Sequence, residues 1–318
     1  MSNTPENVDH AALDRAVSDY ELILENRDRL VRAYNDLGIT FFQQGQFDQA
    51  VQNFEYILNV TPPLPRLEIA KVYFNLALVV AKQGNAEQST RYLQQALEQD
   101  ETFEPAKLEL SRQQYDAEVR AKNYQFTQDW FSRNLLIWQE YLHPFIGQPN
   151  LAFLEVGSWE GRATCWLLDR VLTDASVSIT CVDTFAGGGE YQGMDDHYIQ
   201  SIEARFDSNI AKTGAASKVK KVVGESQIVL RSLPFDTYDF IYIDGSHEPS
   251  DVLIDAVLCW GLLKENGILI FDDYDFPLRN PNYRTDIGIN AFLDVFDSKI
   301  KILLQSHQVV IQKIRNHS

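Results

Sequence analysis

The chain has 318 residues, 45% of them hydrophobic and 23% charged, with a formal net charge of −17 at pH 7. This is the composition of a folded globular protein, long enough for two domains. Both halves are acidic and neither carries a Lys/Arg run, which disfavours binding to nucleic acid or to an anionic membrane surface, since both need clustered cations.

No apolar stretch approaches the roughly 18 residues of a membrane span, and the polar, acidic start from Met1 to Asp14 has no signal-peptide pattern. Cys165, Cys181 and Cys259 stand in apolar contexts with no metal spacing. They read as buried, reduced thiols, and the expected location is cytoplasmic.

Residues 11–30 read as an amphipathic capping helix. The sequence then repeats: Tyr34-Asn35-Asp36-Leu37-Gly38 aligns with Tyr73-Phe74-Asn75-Leu76-Ala77, and Gln44-Gly45-Gln46 with Gln83-Gly84-Asn85, at an offset of 39 residues. A connector, Pro62-Pro63-Leu64-Pro65-Arg66, separates the two copies. Large residues of one helix fit against small ones (Gly38, Ala50) of its partner, and the proline after the second helix stops it. With Tyr34, Leu37, Gly38, Phe41, Ala50, Phe54 and Pro62 at its signature spacings, the first copy resembles a tetratricopeptide repeat. The second is degenerate, with Ala77 for Gly and Ser89 for Ala, and residues 103–122 begin a third. The resemblance implies an all-α repeat domain over residues 1–122. It would serve as a packing or homodimer surface, or as a concave site for a protein or peptide partner.

Residues 117–146 read as one helical stretch, with Phe126, Trp130, Phe131, Leu135, Trp138 and Leu142 recurring at helical spacing. Residues 123–149 are therefore assigned as an aromatic linker helix. Most of its aromatics read as core, and Trp130 or Phe131 is expected to touch a ligand pocket.

From residue 150 to 318 short apolar runs alternate with helical segments. Strands are expected at 151–156, 177–182, 219–223, 240–243 and 267–271, rich in Val and Ile as in a parallel sheet covered on both faces. A helix over 286–296 follows. The last two runs, 300–304 and 308–314, are too close for a crossover and must pair antiparallel.

The first strand ends in Glu155-Val156-Gly157-Ser158-Trp159-Glu160-Gly161, a glycine turn opening a helix. Glycines there let a ligand approach the backbone. The spacing differs from the Gly-x-Gly-x-x-Gly of dinucleotide enzymes and resembles motif I of the class I S-adenosylmethionine-dependent methyltransferases. That resemblance implies an α/β, Rossmann-like sheet of order 3-2-1-4-5-7-6 with strand 7 antiparallel. It places the cofactor S-adenosylmethionine (SAM) at the carboxyl ends of the strands. Glu155, Gly157, Ser158 and Gly161 would line its methionine side. Asp183, with Thr184 beside it, would accept from the ribose hydroxyls, or cap a helix. Glu225 and Ser226 would meet the adenine edge, with Ser226 alternatively an N-cap.

Asp244 ends the fourth strand and Asp272-Asp273 the fifth. Converging carboxylates are costly unless a cation or protons compensate them, and oxygen ligands suit Mg²⁺ or Ca²⁺. The arrangement is similar to metal-dependent O-methyltransferases, which implies Asp244, Asp272 and Asp273 as ligands of Mg²⁺ beside the cofactor. Asp244 and His247 are the catalytic candidates, His247 as general base or, alternatively, as part of a helix cap with Ser250. Ile243-Asp244-Gly245-Ser246-His247 and Phe271-Asp272-Asp273-Tyr274 are similar to pieces of the family called methyltransferase domain 24. The activity implied is O-methylation of a small hydroxylated metabolite or sugar. Alternatives are a protein or carrier-bound substrate docked on the repeats, an inactive scaffold, and an NAD-dependent oxidoreductase, which the glycine spacing and the terminal hairpin argue against. The glycine-rich segment between Phe185 and Tyr198 reads as a lid or a disordered insertion, and Asp275–Thr285 as a second substrate loop.

Overall fold

The computed structural model describes residues 10–187 and 195–314. It divides into two compact units, Met1–Asp116 and Ala117–Ser318. Most of the glycine-rich segment read as a lid, residues 188–194, lies outside the described residues.

In the first unit, α1 (His10–Gln43) is a single helix of 34 residues. The expected capping helix runs straight into the first repeat because no proline interrupts it and Gly38 is its only glycine. Then come α2 (Phe47–Leu58), α3 (Arg66–Lys82), α4 (Ala86–Gln99) and α5 (Glu104–Ala121). Ala50, Phe54, Ile57, Leu76 and Val79 form the core between them. A Cβ on Gly38 would lie 2.6 Å from the Phe54 ring, so the small residue is a packing requirement. The ring pairs Tyr34–Tyr56 and Tyr73–Tyr92 recur in the two copies. A cavity of about 320 Å³ in this unit is lined by Asn35, Lys71, Phe74, Asn75 and Phe103 among others.

The second unit begins inside α5. That helix ends where the N–H groups of Lys122, Asn123 and Tyr124 turn back onto the carbonyls of Glu118, Arg120 and Val119, with Asn123 left-handed at φ 55. The expected continuous helix over 117–146 is therefore broken. Residues 124–131 are irregular, and helix resumes only in a short turn at Ser132–Asn134 and in α6 (Leu135–Tyr141). The break has a physical reason: the irregular stretch gives its backbone to other partners. Gln125 N–H donates to Asn209 at 2.7 Å and Thr127 N–H to Glu160 at 2.6 Å. Residues 123–149 thus belong to the second unit and are not a free linker. Trp138, fully buried, meets Phe131, Trp166, Phe240 and Tyr242 edge-on, which accounts for the aromatic spacing.

The sheet follows in chain order: β1 (Ala152–Val156), α7 (Arg162–Arg170), β2 (Ser178–Asp183), α8 (Asp196–Gln200), α9 (Ile202–Thr213), β3 (Val219–Val223), α10 (Ser226–Val229), β4 (Tyr238–Ile243), α11 (Pro249–Leu262), β5 (Leu263–Phe271), α12 (Phe276–Arg279), α13 (Thr285–Phe296), β6 (Ile300–Gln305) and β7 (Val309–Lys313). Its order is β3-β2-β1-β4-β5-β7-β6. β1 to β5 are parallel and β7 is antiparallel to both β5 and β6, as the sequence implied. All three cysteines are buried. No helix among the described residues is long and apolar enough to cross a membrane.

Candidate active site

A cavity of about 770 Å³ opens over the carboxyl ends of β1, β2, β4 and β5. That size suits a small-molecule ligand. Strand order reverses between β1 and β4, the place where parallel α/β sheets bind ligands. Trp130, Phe131, Glu155, Asp183, Glu225, Asp244, His247, Asp272 and Asp273 all line it.

On the β1–β2 side the backbone itself is the wall. Gly157 has φ +86, and a Cβ there would fall 1.8 Å from the carbonyl oxygen of Asp244, so only glycine lets β1 and β4 close at this point. Gly161, with φ +78, opens α7 against the Phe206 ring. Asp183 holds the turn between them: one carboxylate oxygen accepts from the N–H groups of Ser158 (2.7 Å) and Trp159 (2.8 Å), the other from Phe185 (2.6 Å). Trp159 (φ 47) and Phe185 (φ 52) are both left-handed, and the shared carboxylate offsets that strain. The sequence expected Asp183 at the ribose; the structure gives it three backbone partners, which leaves one of its four lone-pair sites.

Glu155 lies beneath this turn, fully buried. Its Oε2 accepts from Ser158 Oγ at 2.8 Å and from the Thr164 hydroxyl, while Oε1 has no hydrogen-bond partner. Burial pushes this carboxyl up to about 7. A buried, unpartnered carboxylate oxygen in the cavity wall fits the ammonium group of a methionine moiety. Ser226 was expected at the adenine edge or as an N-cap. It opens α10, and its hydroxyl donates to the buried Asp255 at 2.8 Å and 2.9 Å.

The β4–β5 side is built from acids. The Tyr242 hydroxyl stands between Asp244 Oδ2, at 2.9 Å, and Asp272 Oδ2, which is closer still. A single hydroxyl hydrogen serves only one carboxylate, so the group calls for another proton or a cation. Burial and then the neighbouring carboxylates raise Asp244 well above the usual range, and burial with Asp273 raises Asp272 to about 6. Asp272 also accepts from Asn134 at 3.0 Å and from the N–H of Asp273.

Asp273 is left-handed (φ 56), so the two successive side chains part. Its Oδ2 lies 2.8 Å from His247 Nε2, and the imidazole stacks on Phe276 at 4.1 Å with the planes 10° apart. Asp244, His247 and Asp273 each offer a ligand atom, all within 4.8 Å of one another. The sequence grouped Asp244, Asp272 and Asp273. The structure gathers His247 in place of Asp272, whose carboxylate is committed to Tyr242 and Asn134. Two carboxylates and an imidazole fit a divalent cation, and the nitrogen ligand favours Mn²⁺ or Zn²⁺ over Mg²⁺. Glu248 stands at the N-cap position of α11, with no side-chain cap bond of its own, and Ser246 Oγ accepts from Glu248 N–H and donates to Asp251.

Several residues of the site were not singled out from sequence. Glu160, 2% exposed, accepts from both the N–H and the hydroxyl of Thr127 and pairs with Arg205 at 2.6 Å. An acid inside the glycine turn was its signal. Tyr242 stands two residues before Asp244 and so shares its strand face, a legible sign. Asn134, buried far away in sequence, gave none.

Residues 154–274 match the family model described as a methyltransferase domain, and residues 31–62 and 70–103 match the tetratricopeptide repeat. No curated protein matches the chain. Among solved structures, the O-methyltransferase TomG from Streptomyces achromogenes, in complex with SAM, is 13% identical, with 62% of this chain and 86% of that one covered and a TM-score of 0.45. An O-methyltransferase from Bacillus cereus in complex with SAH is 15% identical over 65% of this chain and 90% of that one, with a TM-score of 0.43. The O-methyltransferase NovP is 18% identical over 58% and 81%, with a TM-score of 0.46.

Proposed function

From a second unit that is a SAM-dependent, class I methyltransferase domain, joined to tetratricopeptide repeats, we propose that the chain methylates a hydroxyl oxygen of a small hydroxylated metabolite or sugar. The observation that carries this is the meeting of Asp244, His247 and Asp273 in the same cavity as the glycine turn. Bound SAM would supply the methyl group, and a divalent cation held by these three residues would lower the pKa of the acceptor hydroxyl. Glu155 and the backbone from Gly157 to Gly161 would hold the cofactor's methionine end. Glu225 would lie toward the adenosine end. Phe276 keeps the His247 ring in one plane, and Asp273 fixes its tautomer. Trp130 and Phe131 would bound the acceptor and exclude water.

The His247–Asp273 hydrogen bond supports a second reading without metal, in which Asp273 orients His247 as general base for the hydroxyl proton. In the repeat unit, the cavity beside Asn35, Lys71 and Asn75 supports docking of a peptide segment.

Calorimetry with SAM and SAH comes first, followed by transfer of labelled methyl to a panel of hydroxylated acceptors with Mn²⁺, with Mg²⁺ and with EDTA. Transfer that needs the ion supports the metal reading, and transfer indifferent to EDTA supports the base reading. Tight SAH binding without transfer to any acceptor would sink the enzyme assignment in favour of a scaffold.

A further inference from the structure

The cavity is lined by nine carboxylate side chains: Glu155, Glu160, Asp183, Glu225, Asp244, Glu248, Asp251, Asp272 and Asp273. Apart from His247, Arg162 is the one basic side chain among its described lining residues. SAM carries a sulfonium, an ammonium and a single anionic group, its carboxylate. The first two suit an acidic wall; the third is repelled by every lining charge but one.

We infer that Arg162 anchors the methionine carboxylate of the cofactor while Glu155 takes the ammonium on the same carbon, an inference that rests on the SAM reading above. Arg162 opens α7 directly after Gly161, where the N–H groups of the first turn add to the attraction for an anion. Glu155, on β1, lines the same cavity and supplies the buried, unpartnered Oε1. The guanidinium is already held in place. Its Nε lies 3.2 Å from Asp129 Oδ1, an Nη donates to Ser132 Oγ at 3.2 Å, and it stands 5.2 Å from the centroid of the Phe126 ring. Asp129 keeps the half-buried charge compensated before the cofactor arrives, and the fork of donors is fixed in one plane. The irregular stretch before α6 thereby acquires a role, since residues 126–132 aim the arginine.

The test uses two ligands that share the adenosine and the thioether. SAH has the amino-acid end and 5′-methylthioadenosine lacks it. Both are titrated calorimetrically into the wild type, Arg162→Met and Arg162→Lys. The expected result is a loss of about 10- to 100-fold in SAH affinity for Arg162→Met, with 5′-methylthioadenosine affinity changed less than about twofold. Arg162→Lys, which keeps the charge and loses the fork, falls between. Equal losses for the two ligands would mean that Arg162 only braces the turn and would overturn the inference, as would unchanged SAH affinity. If Arg162→Met fails to fold, the ratio of the two affinities in Arg162→Lys decides: a reduced preference for SAH supports the anchor, an unaltered preference overturns it. A wild type that binds neither ligand overturns the cofactor reading itself, and this inference with it.

Discussion

The two sides of the cavity treat acidic side chains in opposite ways. Over β1 and β2, Asp183 accepts from three backbone N–H groups and so uses its charge to shape two left-handed turns. Over β4 and β5, Asp244 and Asp272 share the Tyr242 hydroxyl, Asp272 also accepts from Asn134 and from the Asp273 N–H, and Asp273 meets the His247 imidazole. The first side's turn is held without a ligand, although Glu155 Oε1 beneath it has no hydrogen-bond partner. The second gathers carboxylates whose burial and mutual repulsion favour an added proton or cation. A preformed wall can bind the cofactor, and an uncompensated one can do chemistry on what is brought to it.

The largest effect is expected at Asp183. In Asp183→Ala three N–H groups lose their acceptor and two strained turns lose their tie, at a cost of several kcal/mol. Melting temperature and SAH affinity should fall together. An Asp183→Ala protein as stable as wild type but unable to bind SAH would instead show a carboxylate serving mainly the ribose, and the contrast between the two sides would fail.

The other side breaks differently. Mn²⁺ should raise the melting temperature of the wild type through binding to the folded state. His247→Ala and Asp273→Asn should abolish that rise. Asp272→Asn should keep it and, without the ion, should be at least as stable as wild type above pH 6, because the amide oxygen still accepts from Tyr242 and Asn134 while the buried charge is gone. If Asp272→Asn abolishes the rise and His247→Ala does not, the ligand set read from the sequence is the right one and the geometric grouping is wrong.

That ligand set marks where sequence reading stopped. The strands were legible because each run of Val and Ile ends in a polar residue, and the terminal hairpin because only Gln305-Ser306-His307 separates the last two runs; their order in the sheet came from the resemblance that the glycine turn carries. The glycine turn was legible from Gly157 and Gly161, which backbone geometry demands. The choice between Asp272 and His247 hangs on one left-handed residue, Asp273, and on Asn134, which lies 138 residues from Asp272 in the chain. No local pattern carries either. The aromatic periodicity over 126–142 misled for a related reason. Trp138 and Phe131 do belong to one core, but they reach it from an irregular segment and a short helix.

Glu155, on the β1 wall, keeps a buried carboxylate oxygen without a hydrogen-bond partner. Its pKa is raised from 4.5 to about 7 by burial. A raised folded-state pKa means that the stability it contributes is fully present below pH 4.5 and is lost as the pH rises through 7. Above that the buried charge costs on the order of 3 kcal/mol. Glu155→Gln stays neutral, so without cofactor it should be more stable than wild type at pH 8 and close to it at pH 4.5, by urea unfolding. It should bind SAH more weakly at pH 8. Equal stability of the two proteins at pH 8 would mean that Oε1 is solvated in solution, and the carboxylate would no longer be poised for an ammonium.

Ser226 offers the smallest and most discriminating change. Its hydroxyl donates to both oxygens of Asp255, which is 1% exposed and pushed up to about 6 by burial despite that bond. In Ser226→Ala the carboxylate loses this donor and its pKa climbs further, so the penalty is present above the pKa and fades as the pH falls through it. About 1 kcal/mol is expected at pH 8, and less at pH 5. SAH affinity should move by less than about threefold, since the hydroxyl faces Asp255. A tenfold loss of SAH affinity with stability unmoved at both pH values would put Ser226 on the adenine edge instead. The end of β3 would then be part of the cofactor wall itself, and the preformed side of the cavity would extend one strand further than its hydrogen bonds indicate.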